Sequence, residues 1–448
     1  MRAPVRYARS GDLRIAYRTY GSGERDILTV LPTVGTCELV DEPPALRLIE
    51  RLSRLGRLIV WDRRGMGLSD NVPEPPTLEE QMDDARAVLD SAGAARVVLC
   101  AEAEAVALAA MFAASHPERV ERMVVLNGIS RMTRADGYEW AQSAEQRRSG
   151  LVEPMLARWG SGENGRSIAP VLADADPDFV AWWGRWERIS SPPSWARAQL
   201  ELMGEVDVRT ILPRIQAPSL VCARPDAHGI DVRHSRHIAA EIPGAELREL
   251  PGRDALSFGD GLDAYIAAIE EFVSDGAPRA GDTERTLATV LFTDIVNSTA
   301  AASDLGDRRW RELLVRHDEA SRRLIASHGG VAVKSTGDGF LARFDGPARG
   351  ARAALAIVAA ARDIGLELRA GVHTGEVERM GSDLGGVAVH IGSRIAGLAS
   401  AEEVLASATV RDLVIGSGLE FAVAGDAELR GVPGRWTLFR VSERPDHG

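Results

Sequence analysis

Lys334 is the only lysine in a chain of 448 residues whose lysines and arginines together number 53. A single ammonium, kept in the apolar run Val331-Ala332-Val333 just before the acidic turn Thr336-Gly337-Asp338, points to a task that the guanidinium fork performs poorly. A second acid, Asp294, closes the strand-like run Leu291-Phe292-Thr293. If the hairpin carrying Asp338 pairs beside that strand, the two carboxylates converge. They then offer hard oxygen donors and leave most positions open, which suits Mg²⁺ or Mn²⁺ shared with substrate phosphates. His390 and Arg394, four residues apart, lie on one helical face, with Val387, Ile391, Ile395 and Leu398 available for the core side.

A chain of this length needs two cores, each large enough to fold. Its 45% hydrophobic and 26% charged residues are those of a soluble globular protein. A formal charge of −12 argues against nucleic acid or an anionic membrane as the main partner, so any phosphate site must be built locally. The start of the chain has no apolar run fit for a signal peptide, and no later stretch reaches about 18 uninterrupted apolar residues, so a cytoplasmic location is expected. Cys37, Cys100 and Cys222 are odd in number, widely spaced and set among apolar residues, which disfavours a disulfide framework or a zinc site.

The elements that position these groups fall into two sets. Residues 1–273 alternate short apolar strands (Asp26–Leu31, Leu58–Trp61, Val97–Leu99, Arg122–Leu126, Ser219–Cys222, Glu246–Leu250) with amphipathic helices, the pattern of a doubly wound α/β domain. A helical insertion at about 133–205, containing Trp182-Trp183-Gly184-Arg185-Trp186, reads as a lid over the C-terminal edge of the sheet and over the cleft of an unknown small-molecule ligand. Residues 274–285 are small and polar and read as a linker. Residues 286–448 read as an α+β domain. Its expected elements are a strand (Leu287–Thr293), a long helix (about Asp304 to His328), a hairpin (Gly330–Ser335 and Gly339–Phe344), a helix (Gly346–Asp363), a strand (Glu367–Thr374), a loop to Gly386 and a helix (Val387 to about Leu398).

The order of elements in the first domain, with Trp61-Asp62-Arg63-Arg64-Gly65-Met66-Gly67 after a strong strand, resembles the α/β-hydrolase family. That family presents a serine on a sharp G-x-S-x-G turn, followed by an acid and a histidine. Here the turn reads Ala101-Glu102-Ala103-Glu104-Ala105, so the nucleophile position is Ala103. The acid position matches Asp226, and the histidine position is Ala255. Alanine can neither attack nor accept a proton, so two of the three triad roles are absent. With both glycines of the turn replaced by alanine, a relaxed turn is expected. Cys100 reads as a core residue, and Glu102 and Glu104 as capping or solvating the next helix.

Phe292-Thr293-Asp294-Ile295, Ser335-Thr336-Gly337-Asp338-Gly339-Phe340 and Asp383 followed by His390-Ile391-Gly392-Ser393-Arg394 resemble, in order and spacing, the motifs of the class III nucleotidyl cyclases. The resemblance implies a ferredoxin-like α+β fold and a homodimer with two shared sites. It also implies two Mg²⁺ or Mn²⁺ ions per site, held by Asp294, Asp338 and the carbonyl of Ile295. Lys334 and Asp383 match the pair that reads the purine edge, with a donor for ring nitrogen N1 and an acceptor for the 6-amino group, which favours ATP over GTP. Arg394 matches the arginine that stabilises phosphate charge. His390 stands where the family's familiar pattern has an asparagine on the ribose; histidine still donates one hydrogen bond. Arg430 matches a phosphate-binding residue more loosely and reads equally as a solvated strand residue, and His373 reads as structural. The function implied is an adenylate cyclase with a regulatory, hydrolase-like domain. The alternatives are a nucleotide-binding protein with little turnover, a guanylate cyclase or, less favoured, a serine-type hydrolase.

Overall fold

The computed structural model describes residues 3–274, 285–335, 339–380 and 383–444. The turn Thr336-Gly337-Asp338 and almost all of the expected linker lie outside the described residues. Contacts divide the chain into two units, Met1–Gly281 and Asp282–Gly448.

In the first unit eight strands form one sheet in the order β1-β2-β4-β3-β5-β6-β7-β8. They are β1 (Arg6–Ser10), β2 (Leu13–Tyr20), β3 (Asp26–Val30), β4 (Arg57–Trp61), β5 (Val97–Glu102), β6 (Val120–Leu126), β7 (Ser219–Ala223) and β8 (Glu246–Glu249). The first two pair antiparallel, and β3 to β8 run parallel. Helices α1 (Leu46–Leu55), α2 (Leu78–Ala92) and α3 (Val106–Ser115) cover the sheet. All of α3 is buried, as expected of a helix that is apolar on every side. Thr77 and Glu80 form a reciprocal capping box at the start of α2, and Gly93 closes its end in the left-handed conformation.

The tryptophan-rich insertion is helical: α4 to α9 span Ala144–Arg147, Glu153–Ala157, Glu163–Ile168, Pro170–Ala175, Phe179–Ser190 and Pro193–Glu205. Trp182, Trp183 and Trp186 turn inward from α8 and join the core that continues into the sheet. Helices α10 (Val232–Glu241) and α11 (Leu262–Ser274) complete the unit. The three cysteines are buried and unbridged.

The second unit has β9 (Arg285–Ile295), α12 (Ser298–Leu305), α13 (Asp307–Ser327), β10 (Val331–Ser335), β11 (Phe340–Phe344), α14 (Pro347–Asp363) and β12 (Leu368–Met380). The order β10-β11-β9-β12 on this βαββαβ run is the ferredoxin-like arrangement. It continues through β13 (Asp383–Gly385), α15 (Val387–Leu398), β14 (Val404–Ser407), α16 (Ala408–Leu413), β15 (Leu419–Glu428) and β16 (Arg435–Glu443). Two local expectations are corrected. The long helix breaks at Gly306, whose φ of 76° no continuing helix adopts. The expected loop up to Gly386 is instead a hairpin in which β13 returns antiparallel along the end of β12. Among the described residues no helix is long and apolar enough to cross a membrane.

Candidate functional site

Strand β10 does not pair evenly with β11: its register shifts between Ala332 and Lys334, so Val333 is the extra residue of a bulge. A bulge re-aims the side chains beside it. Val333 joins the apolar cluster that contains Leu384, while the Lys334 ammonium lies 3.6 Å from Oδ2 of Asp383 on β13. The other Asp383 oxygen accepts from the backbone N–H of Leu384 at 2.9 Å, which orients the carboxylate. Both side chains remain about half exposed, at 60% and 46%.

Asp294 sits near the end of β9, and Arg369 is its cross-strand partner on β12. The Arg369 Nε donates to Asp294 Oδ2 at 2.9 Å, its Nη2 donates to the same oxygen, and its Nη1 reaches the carbonyl of Gly397 on α15 at 3.3 Å. Arg369 thus ties the expected metal ligand to the helix that carries Arg394. The Ile295 side chain is buried, which leaves its backbone to the site. A guanidinium already presses on the Asp294 carboxylate, so the position accepts a cation, and a hard oxygen donor fits Mg²⁺ or Mn²⁺. Among the described residues no three His, Cys, Asp or Glu side chains gather at one point, and Asp338 lies outside them.

Helix α15 packs through small residues. A Cβ on Gly371 of β12 would stand 2.2 Å from the backbone nitrogen of Ala396, so glycine is what lets helix and strand approach this closely. Ala388, Ile391, Gly392, Ile395 and Ala396 are buried. Val387 and Leu398, expected on the core side, are instead 62% and 50% exposed. They share the outer face with His390 and Arg394, both exposed and without a hydrogen-bond or ion-pair partner among the described residues. Arg430 is exposed in the turn after β15. His373 is buried, with Nδ1 2.8 Å from the Ser407 hydroxyl and its ring against Trp436.

In the first unit the turn after β5 is not relaxed. Ala103 has φ of 50°, the left-handed region that costs a non-glycine residue roughly 1–3 kcal/mol. Packing explains why the strain persists. Leu108, Met111 and Phe112 on α3 are each at most 2% exposed, and burying side chains of this kind contributes about 1.5–3 kcal/mol apiece. Strand and helix are therefore clamped in place, and the turn between them keeps its shape without glycine.

The groups around the turn depart from the expected roles as well. Glu104 does not merely cap the helix: its Oε1 accepts the Thr33 N–H at 2.6 Å. Thr33 follows β3, so the carboxylate takes up a backbone donor of the loop after that strand. Glu102 points inward too, accepting from Ser257 N–H at 3.0 Å, and burial raises its pKa. Asp226 is exposed in the loop after β7. Ala255 is buried; its N–H donates to the Ile168 carbonyl and its own carbonyl accepts from Asn127. The neighbouring Arg224 is 1% exposed and donates to the carbonyls of Asp254 and Leu256, pinning that loop. Burial pushes the Cys100 thiol up to about 12, which leaves it an inert core residue.

Two of these groups carried little signal in the sequence. Arg369 is a charge set between the apolar Leu368 and Ala370, which could have flagged it, whereas nothing local links Glu104 to a backbone donor 71 residues earlier.

Residues 283–443 match the family model of the adenylate and guanylate cyclase catalytic domain. An uncharacterized protein of Mycobacterium tuberculosis is 26% identical over 250 residues, which cover 55% of this chain and 64% of that relative. The chain thus spans less than two thirds of the length of this curated relative. Among solved structures, the bromoperoxidase from Bacillus anthracis covers 61% of this chain and 100% of its own, at 18% identity and a TM-score of 0.51. The adenylyl cyclase CyaB from P. aeruginosa covers 37% of this chain and 98% of its own, at 24% identity and a TM-score of 0.33. The second unit of this chain therefore matches the model of the adenylate and guanylate cyclase catalytic domain, and the first unit has the α/β-hydrolase fold.

Proposed function

We propose that the protein is an adenylate cyclase that forms 3′,5′-cyclic AMP and pyrophosphate from ATP at sites shared between two copies of the chain, with the first unit acting as a regulatory domain that hydrolyses nothing. The observation that carries this reading is the Lys334 ammonium 3.6 Å from the Asp383 carboxylate, within one chain. An ammonium donates to adenine N1 and a carboxylate accepts from the 6-amino group, whereas guanine presents the opposite polarity at both positions. An ion pair this exposed adds only about 0–1 kcal/mol to folding, so stability gives little reason to hold the two groups together.

The other residues take roles around that pair. Arg394 meets charge that develops on the phosphates, a task suited to a planar fork of donors. His390 donates to the ribose, and Arg430 is a further phosphate contact. Asp294, Asp338 and the Ile295 carbonyl would hold two Mg²⁺ or Mn²⁺ ions, which supply acidity at the ribose 3′-hydroxyl and charge neutralisation when bound. Arg369 releases the Asp294 carboxylate for this purpose. Sharing between copies is supported by the outer face of α15, where Val387 and Leu398 expose apolar surface on either side of His390 and Arg394.

Incubation of the purified protein with Mn²⁺ and either ATP or GTP, followed by chromatographic separation of the products, tests the reading. Cyclic AMP is expected, with ATP preferred. Product no higher than in a heat-killed control removes the proposal, and a preference for GTP transfers it to guanylate cyclase.

A further inference from the structure

The first unit encloses a cavity of about 250 Å³ between the C-terminal edge of its sheet and the helical lid. Leu48, Ile49 and Leu52 line its floor, while Met155, Trp183 and Leu200 line it from the lid. A dry apolar cavity of about 150 Å³ holds benzene, so on the order of ten non-hydrogen atoms fit here. Polar groups gather at the emptied turn. Ala103, Glu102, Glu104 and Thr33 all face the cavity, and the alanine leaves free the space that a nucleophile's hydroxyl would fill.

The chemistry of that end is selective. The Thr33 N–H is consumed by Oε1 of Glu104, so a ligand carbonyl cannot use that backbone donor. Oε2 of Glu104 has no partner among the described residues and remains an acceptor. A ligand carboxylate or phosphate would sit beside the Glu104 carboxylate in an apolar surround, where like charges repel. A ligand cation would meet the like charges of Arg63 and Arg147, which lie within electrostatic reach of Glu104.

We propose that this cavity binds an uncharged, mainly apolar molecule carrying one hydrogen-bond donor, with the Glu104 carboxylate as its acceptor. The proposal goes beyond the cyclase reading and does not depend on it. Absence of ATP turnover leaves it standing, and absence of ligand leaves the cyclase reading standing.

Isothermal titration of the full chain with four probes of matching size tests it: nonan-1-ol, 2-nonanone, octanoate and nonylamine. The alcohol is expected to saturate one site per chain, about ten-fold or more tighter than each of the other three. Glu104→Gln removes the charge and keeps an acceptor. It should retain the alcohol and narrow the gap to octanoate by about ten-fold. Met155→Trp fills the cavity and should abolish alcohol binding with the circular dichroism spectrum unchanged. Octanoate, the ketone or the amine binding as tightly as the alcohol overturns the proposal, as does an alcohol that gives no saturable heat or binds the filled variant equally well.

Discussion

The two units have treated their catalytic positions in opposite ways. The first keeps a strained turn with no nucleophile on it: Ala103 sits at φ of 50° with no hydroxyl, and the Glu104 carboxylate accepts the Thr33 N–H. The second retains chemistry on a less finished geometry. Lys334 and Asp383 are together, but Asp294 is held by Arg369, and Arg394 stands exposed on an outer face. The difference follows from burial. A turn clamped between a buried strand and a buried helix keeps its shape after its side chains change, because the packing energy exceeds the strain. A site built from exposed side chains on a strand, a hairpin and a helix has no such clamp.

The largest test breaks the second half of that contrast. Asp294→Ala and Lys334→Ala should each lower cyclase activity by about 10³-fold or more, as removal of a metal ligand or a directional donor does. If sites are shared, mixing the two variants restores part of the activity through one intact composite site. Verified mixed dimers that stay inactive would sink sharing between copies.

Next in size is a test of burial in the first unit. His234 is buried there, with Nδ1 2.7 Å from the Tyr138 hydroxyl, and burial lowers its pKa from 6.5 to about 4. The folded form therefore stays neutral where the unfolded chain takes up a proton. The contribution to stability is complete above pH 6.5 and is lost as pH falls towards 4, to a total of about 3 kcal/mol. Asp62, raised to about 6 by burial, acts in the opposite direction, so the measurement is a difference between variants. His234→Gln should flatten the acid side of the stability curve for the first unit, measured by chemical denaturation across pH 7 to 4. Parallel curves for wild type and variant contradict the assignment.

Arg369→Gln probes the unfinished geometry more gently. Without the guanidinium the Asp294 carboxylate is free, and Mn²⁺ should bind about ten-fold more tightly. Electron paramagnetic resonance of free Mn²⁺ reads this without any need for turnover; unchanged or weaker binding means that Arg369 supports the site instead of competing for it. The smallest effect belongs to the emptied turn, where Ala103→Gly relieves the left-handed strain. A gain of about 0.5–1 kcal/mol in the first unit is expected by thermal denaturation, and a loss would show that the alanine methyl contributes more than its backbone conformation costs.

Much of this organisation could be read from the residues in order. The alternation of short apolar strands with helices marks the doubly wound sheet, and Ala103 and Ala255 remove the hydrolytic residues by type alone. Three spaced motifs mark the cyclase domain. Other features were beyond such a reading for identifiable reasons. A three-residue strand such as β13 has too few positions to display a period, so the segment carrying Asp383 reads as loop. The apolar side of α15 was misassigned because Val387 and Leu398 are more hydrophobic than the small residues that pack there, and close approach to β12 selects for size. The relaxed turn expected at Ala103 failed because a local preference of 1–3 kcal/mol yields to the packing of the elements on either side.

By itself, then, the sequence determined which chemical groups exist: one lysine ammonium, the acids near it, a guanidinium on a helix, and alanines at positions 103 and 255 of the first unit. Tertiary structure alone decided which of them meet. The bulge at Val333 and the return of β13 bring Lys334 to Asp383. Strand register sets Arg369 against Asp294 across 75 residues, and the β3 loop offers its N–H to Glu104 across 71. Residue type is a local property, whereas contact between distant residues depends on register and packing, which no short window of sequence contains.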